Sequence, residues 1–408
     1  MKILLANKYF YRRGGAENSM FLLNDLLTMR GHEVAHLSMQ DPRNELSAWS
    51  DYFVSNVELS AAGSARNSVK AIQRMFYSRE VRDCTRALVQ AFRPDVAVLN
   101  NVYHQLGPTL IRELAQARVP MILLVRDSKL ICPAYTSLRG GQPCLKCAQG
   151  AFFWSAVHGC GGSRANGVIL ALESYWQHAA LHTWSKMSAV VAPSDFYGRL
   201  IQNQQPAMDV RVIRNAIETI APAKRAAERP YIGFAGRLSS EKGIDTLLEA
   251  AANCPEIMFR IAGEGPELTR LRELQRQSGC ANVHFLGGMG QQALELEMRT
   301  WRVAVIPSIW FENCPRVALE ALRLGIPLIG SDIGGIPELV EGHGVVVAPG
   351  DSGDLARAMV DLWTDPDRCN EFGSRGRDYI ARECAPAIHA DRFEEVLRAV
   401  ATRKVVPV

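Results

Sequence analysis

Two cations, Arg237 and Lys242, sit in the stretch FAGRLSSEKG (234–243), directly after Gly236. The apolar run before them reads as a strand, and a helix is expected to begin near Ile244. Two positive groups and a glycine turn at the carboxyl end of a strand suit a diphosphate, which both charges and free backbone N–H groups can reach. A solvated loop with ordinary surface charge is the competing reading of these residues alone.

A second group is FENCPRVALEALRLGIPLIGSDIGGIPE (311–338). Glu312 precedes a helix opened by Pro315, and Glu320 lies eight residues on, inside that helix. Carboxylates buried toward a cleft are costly unless they hold something, and sugar or ribose hydroxyls are suitable partners. The backbone N–H groups of Asn313, Cys314, Arg316 and Val317, around Pro315, would meet phosphate oxygens at the helix start. An amphipathic helix with two surface glutamates is the alternative. It leaves unexplained why several such groups fall at strand ends. Three glycine turns complete the set: Gly14-Gly15 before a helix near Ala16, Gly263 and Gly265 in IAGEGPE, where Pro266 is expected to open a helix, and Gly334-Gly335. Each would let backbone approach a ligand closely, or simply make a tight turn.

The elements that must position these groups alternate along the chain. Strands are expected at 2–6, 33–38, 96–100, 121–125 and 189–194, and again at 231–236, 258–263, 283–287, 303–308, 327–332 and 344–349, with helical patterns between most of them. This alternation belongs to parallel sheets covered on both faces. The rhythm breaks between about 195 and 229, which is read as the connection between two α/β domains. A final helix is expected over about 386–403.

Composition limits what such a protein can be. With 408 residues, 48% apolar and 22% charged, two domains can each bury a core. A net charge of +4 is too small for this length to indicate a nucleic-acid binder. Met1 leads directly into KILLANKYF, so no leader is expected, and no apolar run is long enough to cross a bilayer. A cytoplasmic protein, peripheral on a membrane at most, is the expectation. The ten cysteines are too sparse for a disulfide scaffold. Four of them, Cys132, Cys144, Cys147 and Cys160, include one C-x2-C pair with intervals of twelve and thirteen residues on either side. That spacing fits a structural zinc site, with free thiols or a disulfide as competing readings. Residues 63–92 place Arg66, Lys70, Arg74, Arg79, Arg82 and Arg86 at helical spacing against Glu80 and Asp83. A face contacting anionic lipid and a merely solvated face are both open there.

GRLSSEKG, IAGEGP, the Glu312/Glu320 pair and SDIGGIPE, in this order, resemble the C-terminal half of retaining glycosyltransferase family 4. KYFYRRGGAE, NVYHQLGP (101–108), RDSKLICPAY (126–135), APSDFYGRL (192–200) and VIRNAIE (212–218) are similar to its upstream segments, with Ala216 where a glycine is usual. The resemblance implies an α/β GT-B fold, two facing Rossmann-like domains with a donor cleft between them. On that reading residues 1–194 form the acceptor-side domain with a cysteine-containing insertion at about 130–165. Residues 195–229 connect the domains, 230–385 bind the nucleotide sugar, and 386–408 cross back to the first domain.

The resemblance also implies transfer of a hexose from a nucleotide sugar to a polysaccharide, oligosaccharide or lipid-linked acceptor, with retention and without a catalytic metal or other cofactor. Arg237 and Lys242 would hold the diphosphate, Glu312 the donor sugar and Glu320 the ribose. Gly14 and Gly15 would leave room near the transferring sugar. One position departs from the family: Arg126 stands where a histidine usually precedes Asp127. His104 is then a candidate on the acceptor side, and Asp127 either orients its loop or pairs with Arg126. A nucleotide-sugar epimerase and a non-catalytic nucleotide-sugar-binding protein are the alternatives.

Overall fold

The computed structural model describes residues 1–57 and 72–402. The first sheet is parallel and contains β1 (Lys2–Ala6), β2 (Glu33–Leu37), β3 (Val96–Asn100), β4 (Met121–Leu124), β7 (Ala189–Ala192) and β8 (Val210–Val212), ordered β2-β1-β3-β4-β7-β8. A single parallel bridge, Met39 to Val54, continues it beyond β2. The second sheet contains β9 (Tyr231–Ala235), β10 (Met258–Ala262), β11 (Val283–Gly287), β12 (Trp301–Ile306), β13 (Leu328–Ser331) and β14 (Gly344–Val347), in the order β11-β10-β9-β12-β13-β14. In each sheet the chain starts at an inner strand, runs to one edge, then returns to build the other half. Both domains are thus Rossmann-like, with a switch in strand order that opens a crevice at the carboxyl ends. Helices cover both faces, which is why strands such as β3 and β4 are buried along their whole length.

Two expectations need correction. The connection does not begin at 195. Ser194 caps a helix, Asp195–Gln204, by accepting from the Tyr197 N–H, and β8 then pairs with β7 inside the first sheet. The linker therefore follows Val212. The helix in IAGEGPE does not open at Pro266 either; it spans Leu268–Gln277. The last helix, Pro386–Ala401, buries Phe393, Leu397 and Val400 with Ile3, Leu5 and Leu27 of the first domain. Among the described residues no helix is long and apolar enough to cross a membrane.

Between β4 and β7 the first domain carries a long insertion. It holds a two-strand hairpin, β5 (Leu138–Arg139) with β6 (Gln142–Pro143), a short helix, Trp154–Val157, and a longer one, Arg164–Tyr175. The helices meet closely at Gly167, where a methyl group would lie 2.2 Å from the Ser155 carbonyl oxygen. The insertion is anchored by a buried polar network. Glu173 accepts from Lys129 Nζ at 2.7 Å and Gln177 Nε2 at 2.8 Å, and faces His104 Nδ1 at 3.0 Å. Burial alone would raise the Glu173 pKa, but Lys129 and His104 outweigh it and hold the carboxyl at about 2, below the usual 4.5.

Because that pKa is depressed on folding, the carboxylate's contribution to stability is present above pH 4.5 and is lost as the pH falls toward 2. Glu173→Gln removes the charge and leaves Lys129 buried without a counter-ion. It should destabilise the fold by about 3–5 kcal/mol at neutral pH, measured by thermal unfolding. The loss should shrink in acid, where the wild-type carboxylate is itself protonated.

Candidate functional site: a cationic cleft between the two domains

A cavity of about 460 Å³ lies between the carboxyl ends of the two sheets. This is within the size range of small-molecule sites. Its walls bring together Gly15, Arg126, Gly236, Arg237, Lys242, Glu312, Asn313, Cys314, Pro315, Arg316, Val317 and Glu320, residues spread over three hundred positions of sequence.

Strand ends explain their placement. Gly236 follows β9, its N–H bonded to the Ala262 carbonyl at 3.0 Å. Arg237 follows at the exposed end of that turn, and Lys242 closes the one-turn helix Ser240–Lys242. Lys242 Nζ reaches across to the carboxylate of Glu312, which also accepts from Ser308 Oγ at 3.0 Å. Glu312 is buried, so this pairing is what makes its charge tolerable. The helix Arg316–Arg323 follows, with no side-chain cap at Pro315, and its first turn faces the cavity. Inside it Arg316 Nε donates to the buried Glu320 at 2.8 Å. The helix Gly15–Met29 also starts at the cavity without a side-chain cap, and a methyl group at Gly15 would meet nothing within 4 Å. Two helix N-termini, one from each domain, therefore point their positive ends at one space.

Arg126 lies at the floor, after β4. Its Nε donates to Asn100 Oδ1 at 2.6 Å and one terminal nitrogen donates to Asn215 Oδ1 at 2.8 Å. Burial pulls its pKa down to about 10, so it stays charged at neutral pH. Asn215 lies beside the Cys314 thiol and lowers its pKa, but burial outweighs this and pushes the thiol up to about 11. Asp127 does not pair with Arg126. Its carboxylate accepts from the Lys129 N–H at 2.9 Å and orients the loop, and burial raises its pKa.

Several candidates fall outside the cavity wall. His104 belongs to the Glu173 network and is buried. Gly14 sits beside the Glu17 carboxylate, one residue behind Gly15. Gly263 and Gly265 serve loop packing: methyl groups there would lie 1.9 Å from the Gly236 carbonyl oxygen and 2.2 Å from that of Leu238. Gly335 is similar, 2.0 Å from the Asn313 carbonyl oxygen. The close approaches read from these glycines are real, but the partner is backbone.

The zinc reading is also corrected. The four cysteines share one neighbourhood, each near enough to feel charge on the others. Yet all are free thiols, and among the described residues no three His, Cys, Asp or Glu side chains are arranged to hold a metal ion. Burial pushes the Cys147 thiol up to about 12, which keeps it protonated. Most of the described basic positions at 63–92 are paired, and Arg79 is exposed. Arg66 and Lys70 lie outside the described residues. Arg74 is buried against Glu80, Arg82 pairs with Asp83 and Arg86 with Glu113. Sequence reasoning missed Asn100, Ser194, Asn215 and Ser308. A polar residue at a strand end, as in VAVLN and VAVIPS, was the available signal.

Residues 216–379 match the family model described as glycosyl transferases group 1. The group 1 match covers most of the second domain and the whole of its cavity wall. Among curated proteins the chain is 28% identical over 247 residues to alpha-maltose-1-phosphate synthase of Mycolicibacterium smegmatis, covering 52% of this chain and 63% of that one. It is 32% identical over 223 residues to 2-deoxystreptamine N-acetyl-D-glucosaminyltransferase of Streptomyces fradiae, covering 49% and 51%. It is 33% identical over 190 residues to a GDP-mannose-dependent alpha-(1-6)-phosphatidylinositol monomannoside mannosyltransferase of Mycobacterium tuberculosis, covering 43% and 49%. The matched regions thus span about half to three fifths of these relatives. Solved structures give the fold over the whole length. Sucrose-phosphate synthase from Thermosynechococcus elongatus superposes with a TM-score of 0.71 at 18% identity, covering 98% of both chains. Anabaena HepE in complex with UDP gives 0.70 at 17%, covering 98% of this chain and 100% of that one. The architecture is GT-B.

The Arg126 contacts join the first domain to the linker and are measurable. Arg126→Ala should cost about 2–3 kcal/mol, the range for hydrogen bonds made by a charged group. In a double-mutant cycle with Asn215→Ala, chemical denaturation should show a coupling above about 0.5 kcal/mol. Additive losses would mean that the two side chains do not act together.

Proposed function

We propose that this protein transfers a glycosyl group from a nucleoside-diphosphate sugar to a hydroxyl acceptor, with retention of anomeric configuration and without a catalytic metal. The observation that carries the reading is the charge of the cleft: four cations, Arg126, Arg237, Lys242 and Arg316, face two carboxylates, Glu312 and Glu320, beside two uncapped helix N-termini. A diphosphate matches that excess of positive potential, and the carboxylates match hydroxyls of sugar and ribose. The group 1 match and the sugar transferases among the relatives support the same reading.

On this proposal the glycosyl–phosphate bond breaks and negative charge builds on the leaving diphosphate. Arg237 and Lys242 stabilise that charge, and preorganised donors of this kind lower a barrier by about 3–4 kcal/mol each. The acceptor oxygen bonds the anomeric carbon on the face that the diphosphate leaves, and the acceptor proton passes to a leaving phosphate oxygen. Glu312, held by Lys242 and Ser308, keeps one oxygen for a donor-sugar hydroxyl. Glu320, oriented by Arg316, takes the ribose.

The roles separate kinetically. Lys242→Ala should lower kcat by about a hundredfold or more. Glu320→Ala should act mainly on KM for the donor, since the ribose is unchanged in the transition state. Arg237→Lys keeps the charge but loses the planar fork, so it should fall between wild type and Arg237→Ala. A thermal-shift screen with nucleoside diphosphates and their sugars identifies the donor first, and NMR of the product reports the anomeric configuration. Folded Lys242→Ala and Arg237→Ala proteins with normal kcat and donor affinity would overturn the proposal.

A further inference from the structure

Half of the sixteen exposed large apolar side chains among the described residues fall between Tyr135 and Trp176, within the insertion of the first domain. Six of them lie on, or directly at the ends of, two helices that pack together. Val168, Leu172, Tyr175 and Trp176 follow helical spacing on the outer side of the helix that starts at Arg164 and of its continuation, while Gly167, Ala171 and Ser174 are buried on the inner side. This helix is thus apolar on its solvent face as well. Phe153 and Val157 of the neighbouring turns add to that face, and the Phe153 N–H donates to the Tyr175 hydroxyl at 3.3 Å. Patches of this kind on a soluble surface mark contact with something apolar.

The charges of the insertion say what that is. From 128 to 188 the chain holds five Lys or Arg and one acid, Glu173, which is fully buried. Arg139, Lys146 and Arg164 are exposed. Lys146 lies over the Trp154 ring at 4.6 Å and Arg139 beside His158 at 3.3 Å, so the cations border the aromatic surface. Exposed aromatic and aliphatic side chains, rimmed by cations with no exposed acid, complement the headgroup region of an anionic bilayer: apolar groups enter the interface while cations meet lipid phosphates.

We propose that the insertion at 135–176 docks the protein on an anionic phospholipid surface. The insertion begins immediately after Arg126 and Asp127, and Ser128 bonds the Tyr197 hydroxyl at 2.7 Å beside the cleft. This inference goes beyond the proposed transfer and stands without it, since it is read from vesicle binding with no turnover.

The test is co-sedimentation of the full chain with vesicles of phosphatidylcholine alone and of phosphatidylcholine mixed with phosphatidylglycerol. Binding should require the anionic lipid and fall as salt is raised. Arg139→Glu, Lys146→Glu and Arg164→Glu together should weaken it by about a hundredfold or more. Leu172→Gln with Trp176→Gln should weaken it by at least about tenfold, from the lost apolar contact. Leu296→Gln, at an exposed apolar position of the second domain, should leave it unchanged. As a second readout, brominated lipid should quench tryptophan emission, and Trp176→Phe should reduce that quenching. Four results would overturn the proposal: no binding to either vesicle, equal binding to both, undiminished binding of the folded variants, or a dimer in sedimentation velocity that these same substitutions abolish.

Discussion

The carboxylate of Glu338 accepts from the backbone N–H groups of Asp195 and Phe196, at 2.8 and 2.6 Å, and from Arg214. One acid of the second domain thereby caps a helix of the first. The first turn of any helix leaves N–H groups unpaired, and its dipole favours an anion there. Here Ser194 satisfies Tyr197 and Gly198, and Glu338 satisfies the two before them. The cap is complete only when the domains face each other. Around it, Ser194 Oγ donates to Asn313 at 3.0 Å, Asn313 donates to the Val125 carbonyl at 3.2 Å, and Phe196 stacks on Phe311. The cavity has walls from both domains because these contacts hold the two sheet ends together.

Within that frame the charges of the cleft are unequally committed. Lys242 is held by Glu312 and Arg316 by Glu320, so the two carboxylates are neutralised inside the second domain. Arg126 is held by the neutral amides of Asn100 and Asn215. Arg237 is exposed, with no ion pair among the described residues. Among the described residues the cleft cations without an ion pair are one arginine of each domain, and Glu17 acts on Arg126 from a distance. An isolated buried carboxylate would cost several kcal/mol, and the local pairs remove that cost without cancelling the excess that an anion would meet.

Much of this was legible in the sequence because strand ends, glycine turns and helix starts are local. The alternation of short apolar strands and helices marks two parallel sheets, and the groups around 237–242 and 312–320 fall in the cleft. The errors concern what local text cannot show. β8 is three residues long and, among the described residues, pairs with β7 alone, so nothing in its own pattern exceeds that of a polar connection. Gly263, Gly265 and Gly335 advertise a close approach, but the partner is a loop supplied by another crossover. The cysteine spacing fixes distances along the chain and not the directions of the sulfur atoms. The pairing of Arg86 with Glu113, on a helix distant in sequence, is likewise outside what the text near 74–86 shows.

The linker makes opening of the cleft a structural event at the site itself. Asn215 follows the last strand of the first domain, accepts from Arg126 on one side and lies beside the Cys314 thiol on the other. The segment that must bend when the domains separate is therefore also a piece of the cavity wall. Separation would release the Asp195 and Phe196 N–H groups from Glu338, part Asn313 from Val125 and pull Asn215 from one of its partners. Each of these contacts requires the present arrangement of the two domains. A ligand spanning Gly15 and Arg126 on one wall and Arg237 and Glu320 on the other would add stabilisation to that same arrangement. Recognition at the cleft and contact between the domains thus draw on the same few side chains.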